Sequence, residues 1–262
     1  MLNHIPNYDP RMSQRVVYSH EVSNEDAIRH LPDNVRVTLE RLKWLSLSLP
    51  TQTLYKYCRA EHARGLLKEG AVRIGTFSYY RAQEKHDPLR GDGREATALF
   101  HDAPLGQQDE ASLSPLTLDW FRPPADANIR LNQFQTHITV SDSFVFCTSL
   151  ELSRSAAGDY DSCVAINDVP RFILALTHGL CRATGVDVMQ GEALLAPITY
   201  MERELSAAYH GYINPAFLKE PRFSREQEAR IVWRAPEPIG HSFADFCEPS
   251  LTQYVTSASI PV

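Results

Sequence analysis

The hydrophobic pattern of this chain switches between strand and helix periods from residue 54 onward. "LYKYCR" reads as a short strand, "AEHARGLLKEG" as a helix closed by Gly70, and "AVRIGTF" as a second strand whose alternating Val72 and Ile74 suit a half-buried sheet. From Ser78 to about Asn132 the chain turns polar and rich in Gly, Pro, Asp and Gln, with one apolar patch from Leu113 to Phe121. That stretch reads as a long loop of the kind that carries function or moves. "THITVSDSFVFCTSL" predicts two strands around Ser141 and Asp142, "DSCVAIND" a further strand, and "VPRFILALTHGLCRATG" a helix ending near Gly185. "ALLAPITYM" and "EARIVWRA" are more strands, and the chain from Glu237 is loop-rich with a last strand at "LTQYVTS".

Residues 1–50 follow a different pattern. "SNEDAIRHL" opens with Ser23 or Asn24 as a helix cap and Glu25 and Asp26 in the first turn, while "DNVRVTLERLKWLSLSL" sets Val35, Val37, Leu39, Leu42 and Leu45 near a helical stripe. An isolated helix of that length is marginal in water, so Leu39, Leu42 and Leu45 are expected to be buried against the rest of the chain or a partner. "SLPTQT" supplies a Pro-bearing turn. The expected organisation is a helical N-terminal extension over 1–50 and one domain over 51–262. Strands outnumber long helices, which predicts an α+β fold of mostly antiparallel sheet with helices at its edge.

Composition narrows the function. The 262 residues are 43% hydrophobic and 22% charged, ordinary for a globular protein that folds without staples. A net charge of -6 gives no broad attraction to polyanions. Five cysteines, Cys58, Cys147, Cys163, Cys181 and Cys247, form no CxxC pair, which fits a reducing compartment better than a disulfide framework or a zinc site. No run has the length of a membrane span and no cleaved leader is visible. The expectation is a cytoplasmic protein, or one delivered to a target cell without a cleaved signal, with no membrane partner.

The common catalytic motifs, the P-loop, GxGxxG after a strand, HExxH and GxSxG, are missing. What remains is "FSREQEARIVW". In a strand, residues two apart share a face, so Glu226 and Glu228 would present two carboxylates to one cleft if the strand begins by Glu226. Like charges that close raise at least one pKa, a preparation for acid-base or cation-stabilising work. The bland alternative is a solvated strand end, the default place for surface charge.

Two further stretches weigh against the bland alternative. "YKYCR" ends a strand with Arg59, and "FVFCTSL" ends another with Cys147, Thr148 and Ser149. An Arg on the first strand, a Ser/Thr triplet on a middle strand and a Glu-x-Glu near the last strands resembles the arginine-serine-glutamate class of ADP-ribosyltransferases, with Cys147 where the family triplet more often begins with Ser. "LYKYCRAEHARGLLKEGAVRIGTFSYYR" is likewise similar to the opening of bacterial toxin and phage-defence members of that superfamily, and the likeness spans residues 53–235. The resemblance implies a split β core and an NAD-consuming transferase that modifies a macromolecular acceptor, protein or nucleic acid, with NAD as co-substrate and no metal.

The same resemblance assigns roles. Glu228 would stabilise the positive charge that builds on ribose as nicotinamide leaves, and Glu226 would orient or deprotonate the acceptor. Arg59, or Lys56 on the opposite side of the strand, would meet the pyrophosphate. Ser149, with Thr148, would hold the catalytic glutamate by hydrogen bond. Of Phe77, Tyr79 and Tyr80, the choice for stacking on NAD is Tyr79, although alternating strand aromatics also serve as plain packing. The charged set Arg81, Lys85, Asp87, Arg90, Asp92, Arg94 and Glu95 reads as a solvated or a substrate-recognition loop. Arg230 either balances the carboxylates in the cleft or serves a structural ion pair. His62, His86, His178, His210 and His241 lack ligand spacing. The competing function is a non-catalytic nucleotide-binding or sensor domain on the same fold.

Overall fold

The structure is a computed structural model that describes residues 37, 48–83, 92–101, 135–186, 193–206, 213–234 and 239–262. Apart from Val37, the two helices expected before residue 48 lie outside the described residues, as does the apolar patch at 113–121. No helix among the described residues is long and apolar enough to cross a membrane.

The expected strand, helix, strand opening is present as β1 (Leu54–Cys58), α1 (Ala60–Glu69) and β2 (Ala71–Thr76). Gly70 ends α1 in the left-handed region at φ 65°, its N–H meeting the Gly65 and Leu66 carbonyls. "FSYYRAQ" does not extend the strand with its aromatics; it coils into α2 (Phe77–Gln83). Asp142 Oδ1 and Thr76 Oγ1 accept the N–H groups of Ser78 and Tyr79, satisfying first-turn donors that favour the helix.

The strands that follow are β3 (Thr97–His101), β4 (Gln135–Thr139) and β5 (Ser143–Ser149). After a short helix, α3 (Arg154–Ala157), come β6 (Ser162–Ile166) and the long α4 (Val169–Thr184). Next are β7 (Ala193–Pro197), β8 (Thr199–Tyr200), β9 (Glu204–Ser206) and β10 (Leu218–Lys219). The chain finishes with β11 (Glu228–Arg234), β12 (Phe243–Cys247) and β13 (Val255–Ala258). The fold is α+β and mostly antiparallel, with parallel pairs only at β8–β10 and β3–β9 among the described residues. Both β3 and β12 fall where composition suggests loop; β3 is held between β4 and β9, and β12 pairs along β2.

Strand β5 organises the large sheet. On one side it pairs along its whole length with β11, from Glu228 opposite Ser149 to Arg234 opposite Ser143. On its other side β2 meets only Val145 and Phe144, and β1 meets only Ser149. Between these contacts the sheet is split. Lys56 on β1 reaches into the gap and donates from Nζ to the Cys147 carbonyl at 2.9 Å, satisfying an acceptor that a continuous ladder would have paired.

Period-two alternation along β11 sorts its residues between two faces. Ala229, Ile231 and Trp233 join the core formed with Phe172, Ile173 and Leu176 of α4. The Trp233 indole N–H finds a buried partner in Thr177 Oγ1 at 2.8 Å. Val232 packs on the opposite face with Phe77, Val145 and Leu194. Glu228 and Arg230 share that second face, so the long apolar run delivers two charges to a buried place.

The closure of α1 is the tightest backbone approach. A Cβ on Gly70 would fall on the Glu248 carbonyl oxygen, while one on Gly185, also left-handed at φ 68°, would meet open space. Gly70→Ala should therefore destabilise by more than about 1 kcal/mol and by more than Gly185→Ala, which carries the backbone strain alone, as measured by urea denaturation.

Candidate active site

A cavity of about 930 Å³ opens against the split in the sheet, and its walls include Arg59, Tyr79, Thr148, Ser149, Glu226 and Glu228. All six residues singled out from sequence thus border one space. Pockets for small ligands commonly run to about 300–1,000 Å³, so this one is roomy.

The glutamates converge by a route different from the expected one. Strand β11 begins at Glu228, whereas Glu226 ends a 3-10 turn, Pro221–Glu226, and the pair is joined by Gln227 in the left-handed region at φ 44°. Gln227 is held there by its own side chain, whose Nε2 donates to the Ser224 carbonyl at 2.7 Å. Positive φ at a non-glycine residue stores strain and persists only where its surroundings fix it. The kink brings both carboxylates onto one ammonium: Lys219 Nζ donates to Glu226 Oε2 at 2.6 Å and to Glu228 Oε2 at 2.9 Å.

Glu228 is buried, at 4% exposure. Its Oε1 accepts from Arg230 Nε at 2.5 Å, and Arg230 Nη1 in turn donates to Glu95 Oε1 at 2.6 Å and the Ala216 carbonyl at 2.8 Å. Arg230 is therefore both things its position allowed, the balancing charge and an ion-pair partner. Glu95 and Asp92, from the stretch read as loop, are buried rather than solvated. Asp92 pairs with buried Arg203, whose Nη1 also holds the Thr97 carbonyl at 2.6 Å, and this pins the turn that carries Glu95. Of that charged set, Lys85, Asp87 and Arg90 lie outside the described residues.

Burial and charge push the two glutamates apart. Burial alone would raise Glu228, but Arg230 and Lys219 outweigh it and hold the carboxyl well below the usual carboxylate range. Glu226, with only a share of Lys219, is raised to about 7 by burial, which Lys219 only partly offsets, and by the Glu228 charge. Burial also pushes the Cys147 thiol up to about 12, with Glu228 adding to the effect. Glu95, Glu226 and Glu228 share the two cations Lys219 and Arg230. Among the described residues no three His, Cys, Asp or Glu side chains gather to hold a metal ion.

The remaining sequence-selected residues take specific places. Ser149 Oγ donates to the Glu226 backbone carbonyl at 2.8 Å and Thr148 Oγ1 to the Ala229 carbonyl at 2.8 Å, so both brace the chain around the glutamates and neither binds a carboxylate. Arg59 lies just past β1, exposed at the start of α1, while Lys56 fills the split. Tyr79 stands edge-on to Tyr80 and Phe243, with ring centroids 5.5 and 5.6 Å away. His62, His178 and His241 are exposed; His86 and His210 lie outside the described residues.

Sequence reasoning missed Lys219 and Tyr200, and placed Glu95 only within a charged loop set rather than beside Arg230. Tyr200 Oη accepts the Glu228 N–H at 2.7 Å, and Lys219 is 5% exposed. The one available signal was "PAFLKEP", a lysine set directly after apolar residues. Compared with known proteins, the chain matches no family model, no curated protein and no solved structure.

The opposed shifts give a signed pH dependence. Glu228, lowered in the fold, adds stability that is present above the unfolded value of about 4.3 and is lost as pH falls below it. Glu226, raised to about 7, does the reverse: between about pH 4.3 and 7 the unfolded chain releases this proton first, so stability falls as pH rises. Urea denaturation across that window should show the fall in the wild-type protein and its loss in Glu226→Gln.

Proposed function

We propose that the protein is an NAD-dependent ADP-ribosyltransferase acting on a macromolecule, on an ADP-ribosyltransferase-like fold, in the manner of bacterial toxins and defence effectors. The observation that carries this reading is the convergence of Glu226 and Glu228 on Lys219 in the wall of the cavity that Arg59, Tyr79, Thr148 and Ser149 also border. Cleaving the bond between nicotinamide and ribose builds positive charge on the sugar, and a fixed anion aimed at that charge lowers the barrier. Glu228 suits this part because it stays ionised. Its oxygens each meet one cation, yet a carboxylate has about four lone-pair sites, which leaves room to accept a ribose hydroxyl.

Glu226 suits the acceptor end. A group that changes protonation near neutrality is the right strength for a general base at physiological pH. Arg59, exposed on the cavity wall, offers a planar fork of donors to phosphate oxygens. Tyr79 offers a ring face for stacking. Thr148 and Ser149 act through the backbone, Ser149 holding the turn at Glu226 and Thr148 the strand at Ala229, on either side of Glu228.

One observation favours the non-catalytic reading, a nucleotide-binding or sensor domain: Glu228 is as tightly paired as a structural ion-pair residue. Incubating the protein with NAD and following nicotinamide release, with and without cell lysate, separates the two. Release is expected, falling about 10²–10³-fold in Glu228→Gln with unchanged melting, because the amide keeps the shape and loses the charge. Glu226→Gln should retain plain NAD hydrolysis and lose transfer. NAD binding without turnover would instead establish the sensor reading, and near-normal transfer by Glu228→Gln would remove the glutamate from the chemistry.

A further inference from the structure

We propose that Lys219 is a positioning residue that divides the work of the two glutamates, keeping Glu228 a fixed anion while leaving Glu226 free to exchange a proton. The assignment of that work to NAD chemistry rests on the reading above; the division itself rests on geometry. Lys219 is the residue, among those described, whose side chain donates to both carboxylates, at 2.6 Å to Glu226 and 2.9 Å to Glu228. Its ammonium also sits 4.7 Å from the centroid of the Phe223 ring, in the turn that carries Glu226.

The lysine is held by its strand. β10 lies parallel to β8, with Lys219 opposite Tyr200, and the Lys219 carbonyl accepts the Met201 N–H at 3.0 Å. Tyr200 meanwhile accepts the Glu228 N–H, and the Ile198 N–H donates to the Glu228 carbonyl at 2.8 Å. The two short strands therefore form a bracket that grips Glu228 by backbone and by side chain. A lysine with four rotatable bonds is a poor fixed charge when free; buried and bracketed, it becomes one.

The asymmetry follows from the neighbours. Arg230, on β11, touches Glu228 and Glu95 but not Glu226. Facing the same charges are Tyr80 from α2, Cys147 from β5 with Lys56 of β1 behind it, and Tyr200 from β8. Burial pushes the two phenols and the thiol up, so they stay neutral at physiological pH and the balance lies with Lys219, Arg230, Glu95, Glu226 and Glu228. Glu228 thus has two cations and Glu226 has a share of one.

Lys219→Met keeps an unbranched side chain one atom shorter and removes its charge. Following the glutamate carboxyl carbons by ¹³C NMR, with the Glu226 signal assigned from Glu226→Gln, should show the Glu226 midpoint rising by about 1–3 pH units in Lys219→Met and staying near the wild-type value in Lys219→Arg. The pH profile of transfer should move with it. An unmoved Glu226 midpoint in folded Lys219→Met overturns the proposal. Because losing a buried cation can unfold the site, the double variant Lys219→Met/Glu226→Gln removes both charges together; there the Glu228 midpoint should rise, and an unchanged one overturns the proposal equally. The NMR readout needs no turnover, so absent NAD cleavage with a shifted midpoint would reject the transferase reading and leave the role of Lys219 standing.

Discussion

A carboxylate buried beneath a sheet is the constraint around which this site is arranged. Removing the Glu228 charge from water is costly unless cations and hydrogen bonds replace the solvent, and breaking such a pair by deleting one partner commonly costs about 3–5 kcal/mol. The chain supplies Arg230 two residues along the same strand and Lys219 from a separate short strand. Each cation then needs further acceptors. Arg230 recruits Glu95 and the Ala216 carbonyl, and Lys219 recruits Glu226. The turn before β3, the β8–β10 bracket and the 3-10 turn before β11 are all drawn to one point by this sequence of needs.

The second constraint is the split beside β5. Because β1 and β2 each meet only one end of that strand, its middle is left open on one side while β11 closes the other. The backbone of Phe146, Cys147 and Thr148, between those two contacts, therefore borders a cavity rather than a neighbouring strand. At the end of β5, Ser149 ties this opening to the turn at the Glu226 carbonyl and Thr148 ties it to β11 at the Ala229 carbonyl. Site and scaffold share the same strand.

Much of this was legible in the residues. The strand, helix, strand opening, the two strands around Ser141 and Asp142, and α4 with its close at Gly185 follow from local pattern and end signals. The aromatics after Gly75 look like a strand, yet side chains at Asp142 and Thr76 capture their N–H groups and favour a helix, an effect that involves a residue 64 positions away. β3 and β12 are short and mixed in polarity, and owe their form to pairing partners distant in sequence. The glutamate pair was legible as a pair, but not its geometry, because a left-handed Gln227 is fixed by the surrounding turn. Lys219 shows only its place after an apolar run and Glu95 only a place in a charged stretch; their meaning comes from tertiary contacts with Glu228 and Arg230.

The most direct measurement is a structure of the full chain with NAD or a non-cleavable analogue bound. The account predicts the dinucleotide in the cavity beside β5, with its nicotinamide ribose against Glu228, its pyrophosphate at Arg59 and an aromatic face of Tyr79 on one of its rings. NAD bound elsewhere, or a cavity that stays empty at saturating NAD while Glu228 remains locked between Lys219 and Arg230, would contradict it.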